Sequence, residues 1–191
     1  MFDIGAPYRG AELVQAMLAL ELEGSDLNRG FSLPVFFAPQ GRAWSPADHL
    51  RHLRKTTLPI SLAFYLPARI LRLGFGTSPS TPRSYAEVRD EYRASLSKST
   101  SAGLFAPRPQ TPAGDLAVRR AAILHSWHSA NARFAAAVQR WPEADLDRYR
   151  LPHPRLGPLS LREMAAFTVY HTAHDLARIG ERAGTPALGG S

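Results

Sequence analysis

The chain has 191 residues, a formal net charge of +7 and no cysteine. The length is sufficient for one domain with a proper core, and the lack of cysteine excludes disulfides, thiolate metal sites and cysteine nucleophiles. The basic residues, 21 arginines and 2 lysines, are scattered along the chain, so we expect no specific binding to nucleic acid. The start of the chain does not resemble a signal peptide, and prolines and arginines interrupt the most apolar stretch, residues 58–75. We therefore expect a cytoplasmic protein without a membrane span.

Apolar residues at helical spacing predict a first helix over residues 10–23, with Leu13, Met17 and Leu20 on one stripe. Gly24 and the polar residues after it are expected to end this helix. Residues 28–43 contain two prolines and two glycines and are expected to be irregular.

A second helix is predicted from Ser45 to about residue 66. Ser45 is a typical N-cap residue, and Pro46 occupies the first helical position. Pro59 is expected to kink the helix, and Pro67 either ends it or begins a continuation to about residue 73. Residues 74–82 are predicted to be a loop.

Two further helices are predicted before the last connection. The first begins at Ser84, which forms a capping box with Glu87, and runs to about residue 98. Residues 99–112 are expected to be a flexible connection, and a long helix then covers about residues 112–141. Its expected apolar face includes Leu116, Ile123, Trp127, Phe134 and Val138.

A fifth helix is predicted from Ser160, which forms a capping box with Glu163, to about residue 183. Residues 145–159 are expected to be a proline-rich connection, and no segment of four or more residues predicts a strand. Residues 184–191 are predicted to be a flexible tail. The pattern indicates an all-α fold, a helical bundle with long connections in a single domain over residues 1–183.

The last predicted helix carries His171, His174 and Asp175 within about one turn. Residues four apart lie on the same helix face, so His171 and Asp175 can point at one metal ion. His174 is a weaker candidate, because its direction diverges more from that of His171. A second segment, the start of the second helix, carries His49 and His52.

Three motifs of this chain resemble those of one protein superfamily. Residues 44–53, WSPADHLRHL, resemble the W-S-x-x-E-x-L-x-H-L helix opening of DinB/YfiT-like proteins. Residues 153–163, HPRLGPLSLRE, are similar to the H-P-x-x-G-x-L-S-x-R-E lead-in of that superfamily. Residues 171–179 match its H-x-x-H-H-x-x-x-I helix except at Asp175, where histidine is usual. The motifs cover roughly fifty residues and occur in the family's order.

The resemblance implies a four-helix bundle with long connections and one additional or broken helical segment. It also implies a homodimer and a divalent metal ion, nickel or zinc in the first place and iron or manganese as alternatives. The metal ligands would be His52, His171 and Asp175, with Asp175 in place of the family's third histidine. Two imidazoles and a carboxylate form an open site that leaves positions for water or substrate.

Two interpretations of these residues stay open. In the first, a bound metal activates a low-molecular-weight thiol for transfer to an electrophile, or activates water to hydrolyse a small substrate. In the second, the substitution by Asp175 marks a degenerate site in a non-catalytic stress-response protein that binds a ligand or partner, and Asp175 pairs with an arginine such as Arg178. His174 and His49 are the nearest candidates for a general acid or base. His49 either lines the same cleft as His52 or lies in solvent, and the rim or solvent side is the favoured alternative.

Overall fold

Four long helices form a bundle in the structure, a computed structural model that describes residues 4–41, 43–79, 81–98, 105–107 and 113–183. The elements in chain order are α1 (Gly10–Gly30), α2 (Leu33–Phe37), α3 (Pro46–Phe64), α4 (Ala68–Phe75), α5 (Tyr85–Lys98), α6 (Leu116–Gln139), α7 (Glu143–Arg148), β1 (Arg150–His153), β2 (Gly157–Ser160) and α8 (Leu161–Ala183). Helices α1 and α3 each pack against both α6 and α8, and α5 packs against α8 outside this ring. The predicted all-α bundle with additional helical segments is therefore confirmed.

Three helices begin at capping boxes: the sequence predicts two of these boxes in full, and for the third it predicts only the N-cap Ser45. In each box, the serine hydroxyl accepts from the backbone N–H three residues on, and the acidic side chain accepts from the serine N–H. The pairs are Ser45 with Asp48 in α3, Ser84 with Glu87 in α5, and Ser160 with Glu163 in α8. These short-range bonds determine where the helices that carry the candidate ligands start.

Helix α1 extends seven residues beyond the predicted end at residue 23. Gly24 lies inside the helix, where a Cβ atom would come within 2.6 Å of Trp127 Cη2 and 2.8 Å of Leu176 Cδ2. The glycine therefore permits close packing of α1 against α6 and α8, and it does not end the helix. The short helix α2 lies within residues 28–43, which were expected to be irregular.

The second predicted helix is divided into α3 and α4, which are bent by 108° at the break between them. Helix α3 runs through Pro59 and ends at Phe64, and Pro67 is the N-cap of α4. Of the two alternatives for Pro67, the start of a further helical segment is correct. No single helix in the described part of the chain is long and apolar enough to cross a membrane, and α3 with α4 meets that test only as this bent pair.

A two-stranded antiparallel hairpin lies where no strand was predicted. Strands β1 and β2 occupy much of the expected proline-rich connection, and Pro152 faces Pro158 across the pair. Proline weakens a strand prediction because it cannot donate a ladder hydrogen bond, but in a pair with two free edges that loss is tolerated. His153 closes the turn, since its Nδ1 accepts from the backbone N–H groups of Arg155 and Leu156.

Helix α6 begins at Leu116, after the N-cap Asp115, and so starts later than the predicted residue 112. Trp127, Phe134 and Val138 of its predicted apolar face are buried in the core together with Leu13, Met17 and Leu20 of α1, whereas Leu116 and Ile123 of that face are half-buried. The connection predicted over residues 99–112 is described only at residues 105–107, and the predicted tail lies outside the described residues.

Candidate metal centre

His52, His171 and Asp175 come together inside the bundle, as their spacing and family resemblance predict. Each offers one ligand atom, and the three atoms lie within 4.8 Å of one another. His52 Nε2 is 3.1 Å from His171 Nε2 and 3.8 Å from Asp175 Oδ2. All three side chains are buried. The site forms because α3 packs directly on α8, which places a histidine of one helix opposite two residues one turn apart on the other.

A backbone carbonyl orients the His52 ring. His52 Nδ1 lies 2.9 Å from the carbonyl oxygen of Phe105, which can only accept, so Nδ1 carries the proton. In the neutral ring, Nε2 then has a free lone pair that points at His171. Such a hydrogen bond on the remote nitrogen is the usual way in which proteins orient a metal-binding histidine.

Aromatic rings pack around His171 and shield it from solvent. Phe167 stacks on its ring with 10° between the planes, and Tyr92 contacts it edge-on at a centroid distance of 5.9 Å. Burial lowers the pKa of His171 to about 4, and this effect outweighs the opposing attraction of Asp175. His171 is therefore neutral at neutral pH, which is the form that binds a metal.

Asp175 is ionised despite its burial. Burial raises its pKa, but the hydrogen bond with His49 and the nearby His171 and His52 outweigh that effect and lower the pKa to about 2. Its Oδ2 lies 3.4 Å from His49 Nδ1. The contacts that the structure gives Asp175 are thus to histidines, and no ion pair with Arg178 is found in the described part of the chain.

The donor set fits a divalent cation. Two nitrogens that each lie about 2.0–2.1 Å from one ion are separated by roughly 3.0–3.4 Å, which is the range of the observed separation between the His52 and His171 nitrogens. Asp175 supplies an anionic oxygen, and three protein ligands leave positions for water or substrate. The described residues therefore form a group that could hold a metal ion with an open coordination position.

Of the two alternatives that the sequence left open for His49, the structure shows that it lines the same cleft and does not lie in solvent. Its side chain is 12% exposed and contacts Asp175, because α3 turns His49 toward the same space as His52, one helical turn further on. Trp44 packs against both rings, at centroid distances of 5.3 Å from His49 and 5.0 Å from His52. Trp44 therefore packs at the start of α3 and also covers the site.

The three candidate ligands line a cavity of about 770 Å³ that opens between α3, α8 and the β hairpin. His174 lines the same cavity, and burial lowers its pKa. Much of the wall is apolar, with arginines among the polar lining residues. The apolar lining includes Ile60, Ala63, Phe75, Leu96, Leu151, Met164 and Phe167.

Some lining residues were not predicted from the sequence. His153 closes the hairpin turn through two backbone hydrogen bonds, and its ring also packs on Phe167 at a centroid distance of 4.3 Å and lines the cavity. Burial lowers the pKa of His153 to about 4. Tyr92 of α5 also reaches the cavity. Neither carries a spacing signal, since both arrive from elements whose packing the sequence does not specify.

Comparison with known proteins identifies one family. The family profile of the DinB superfamily matches residues 34–179, which include α3, most of α8 and all three candidate ligands. Searches of curated proteins and of solved structures find no significant match. The profile covers most of the chain, and the helical bundle agrees with the fold that the resemblance implies. The chain belongs to the DinB superfamily.

Proposed function

We propose that this protein is a metal-dependent enzyme that holds one divalent cation through His52 Nε2, His171 Nε2 and an oxygen of Asp175. The observation that carries the proposal is the convergence of three buried ligand atoms within 4.8 Å at the wall of a cavity of about 770 Å³. Nickel and zinc are the first candidates, and iron and manganese also suit two imidazoles and a carboxylate.

The proposed reaction transfers a low-molecular-weight thiol to a small electrophile, and hydrolysis of a small substrate is the related alternative. A divalent cation in this site would supply a thiolate or hydroxide at neutral pH, by lowering the pKa of a bound thiol or water. The chain has no cysteine, so the thiol must be a separate molecule that enters the cavity. The apolar wall would exclude water from the electrophile.

Two further histidines have roles in this proposal. His174 is neutral at neutral pH because burial lowers its pKa, so it can accept the proton that a thiol or water releases. His49 contacts Oδ2 of Asp175, the oxygen that also faces His52, and would hold the carboxylate in that orientation at the ligand position. His49 is thus a positioning residue, and His174 is the candidate base.

A non-catalytic binding role is the second candidate function. Asp175 stands where histidine is usual in the superfamily, and its contacts with His49 and His52 partly satisfy the carboxylate without a metal. In that case the cavity would bind a ligand or partner during a stress response, and no thiol would be consumed. Metal content and turnover distinguish the two functions.

The test is elemental analysis of protein purified without an affinity tag, followed by thiol-consumption and hydrolysis assays with and without added metal. We expect about one metal ion per chain in the wild type and a loss of metal in His171→Ala. His125→Ala is the matched control, because His125 is an exposed histidine of α6 outside the cavity, and it should keep its metal.

The outcomes separate the candidates. Metal retained in full by His171→Ala would refute the ligand assignment. Stoichiometric metal without metal-dependent turnover in either assay would favour the binding role. Absence of metal from every sample, even after incubation with nickel, zinc or manganese, would reject the metal-dependent enzyme.

A further inference from the structure

Helix α8 presents a continuous row of functional side chains to the cavity. His171, Asp175, Arg178 and Arg182 follow one another at intervals of four, three and four residues, and all four line the cavity. This spacing keeps them on one face of the helix. We call this row the α8 stripe. It carries the candidate metal ligands at one end and two cations at the other.

The cationic end of the α8 stripe is only partly satisfied by the protein. Arg182 donates from Nη1 to the carbonyl oxygen of Trp44, at 3.1 Å, and burial lowers its pKa. The structure gives Arg178 and Arg182 no ion pair with a carboxylate among the described residues. A guanidinium without a carboxylate partner beside an apolar cavity is suited to an anion brought by a ligand.

The charges of the residues that line the cavity also favour an anionic ligand. Arg155, from the turn of the β hairpin, is a third arginine of the lining, and Glu181 is the one glutamate in the described lining. A divalent cation bound beside Asp175 would add further positive charge. The arginine end of the cavity therefore carries more positive than negative charge, and the metal end, where Asp175 is the acidic residue, would become positive once a divalent cation is bound.

We propose that the ligand of this cavity is a small molecule with an apolar body and a carboxylate, bound by Arg178 and Arg182. The inference rests on the proposed function in one respect: the end of the ligand opposite its carboxylate would face the proposed metal. Arg182 already donates to a backbone carbonyl, so the remaining N–H groups suit the two oxygens of one flat carboxylate. Three to seven residues of helix separate Asp175 from the two arginines, so the carboxylate lies roughly 5–10 Å from the reacting end.

The test measures ligand binding by isothermal titration calorimetry on metal-free, dialysed protein, so that a carboxylate cannot bind through the metal. The probe is 4-phenylbutanoate, and its neutral counterpart is 4-phenylbutanamide. We expect the carboxylate to bind about tenfold or more tightly than the amide and to weaken as salt is added. Acetate, which lacks the apolar body, should not bind measurably.

Substitution of each arginine by glutamine tests whether these two side chains bind the carboxylate. Arg178→Gln and Arg182→Gln should each weaken 4-phenylbutanoate binding by about tenfold. Arg133→Gln is the control, because Arg133 is exposed on α6 outside the cavity and its loss changes the net charge equally. Circular dichroism establishes that each variant is folded before titration.

The inference is overturned if 4-phenylbutanoate does not bind, if the amide binds as tightly as the carboxylate, or if both arginine variants keep wild-type affinity. A separate titration of Zn²⁺ into the ligand-free protein tests the proposed metal site. Zn²⁺ binding without carboxylate binding removes the ligand class alone. Carboxylate binding without Zn²⁺ binding removes the metal-dependent function and keeps the anion site.

Discussion

Glu163 connects two separate parts of the chain at the start of α8. Its carboxylate accepts from the N–H of Ser160 at 2.8 Å, and from Arg83 through the backbone N–H at 3.0 Å and Nε at 2.7 Å. Burial raises the pKa of Glu163, but the hydrogen bonds from Arg83 and Ser160 outweigh burial and hold the pKa below its ordinary value. The capping residue of α8 therefore also secures the segment that leads into α5.

Replacement of Glu163 by Gln should destabilise the protein by about 1–3 kcal/mol at neutral pH, because a buried, charge-assisted set of bonds is lost. The folded-state pKa is depressed, so this contribution is complete above the ordinary pKa of 4.5 and is lost as the pH falls through the lower folded value. Urea unfolding at about pH 7 and about pH 4 should show the difference between wild type and variant shrinking at the lower pH.

Glu23→Gln is the control for this experiment, since Glu23 is exposed on α1. It should change the unfolding free energy little at either pH. The assigned role of the ionised carboxylate would be contradicted if the difference in unfolding free energy between wild type and Glu163→Gln stayed constant or increased at the lower pH.

Residue spacing alone predicted two of the three candidate ligands, because helix geometry relates residues only within one helix. His171 and Asp175 are one turn apart on a single helix, so their common direction follows from helix geometry. His52 lies on another helix, and its assignment came from the family resemblance. The contact of His49 with Asp175 and the bond from His52 to the Phe105 carbonyl depend on distances between elements, which no local pattern specifies.

At the scale of the elements, Gly24 shows how tertiary packing overrides a local signal. A glycine followed by polar residues predicts a helix end, yet α1 continues to Gly30. The contacts of Gly24 with Trp127 and Leu176 explain why the residue is small. The hairpin was missed for a related reason, because prolines count against strands unless the free edges of the pair are known.

Gly24→Ala should destabilise the protein by about 1–3 kcal/mol, although alanine is the better helix former, because the rigid Trp127 ring must move to accommodate the new Cβ. Gly180→Ala in α8 is the matched control. Its nearest neighbour, Leu27 Cδ2, lies at an ordinary 3.9 Å, so helix propensity should stabilise this variant by about 0.5–1 kcal/mol.

Chemical denaturation of the two glycine variants beside the wild type measures both changes. Opposite signs are the expected result. If Gly24→Ala were as stabilising as Gly180→Ala, the close packing of α1 against α6 and α8 would be disproved.

For the whole molecule, the candidate ligands lie 119 residues apart in sequence, on α3 and α8. A metal bound there links both helices and favours the folded chain over the unfolded one. With Zn²⁺ at about a hundredfold excess over its dissociation constant, the expected stabilisation is about 2.7 kcal/mol, or about 5–10 °C in Tm for a chain of this size.

Differential scanning calorimetry with and without Zn²⁺ measures this shift. His52→Ala should lose it, and His125→Ala, on the exposed side of α6, should retain it. An equal shift in all three proteins would mean that the cation stabilises the fold through a different site.

The sequence predicted more of the helical architecture than of the cavity and its lining residues. Helical periodicity, capping boxes and the superfamily motifs together indicate the four-helix bundle, because each acts over short stretches of sequence. The cavity is lined by residues of several elements, including α5 and the hairpin, and by Phe105. Its shape depends on how those elements pack, so the lining residues Tyr92, His153 and Arg182 could be assigned only from the structure.

The α8 stripe also makes the site sensitive to changes in chain length. One residue inserted between Asp175 and Arg178 would rotate everything beyond it by about 100° about the helix axis and turn both arginines away from the cavity. An insertion of four residues comes within about 40° of a full turn, but moves the arginines about 6 Å further from the metal ligands. Insertions and deletions inside α8 are therefore far more damaging than the same changes in the loops, and relatives with the same ligand chemistry should conserve this spacing more strictly than their loop lengths.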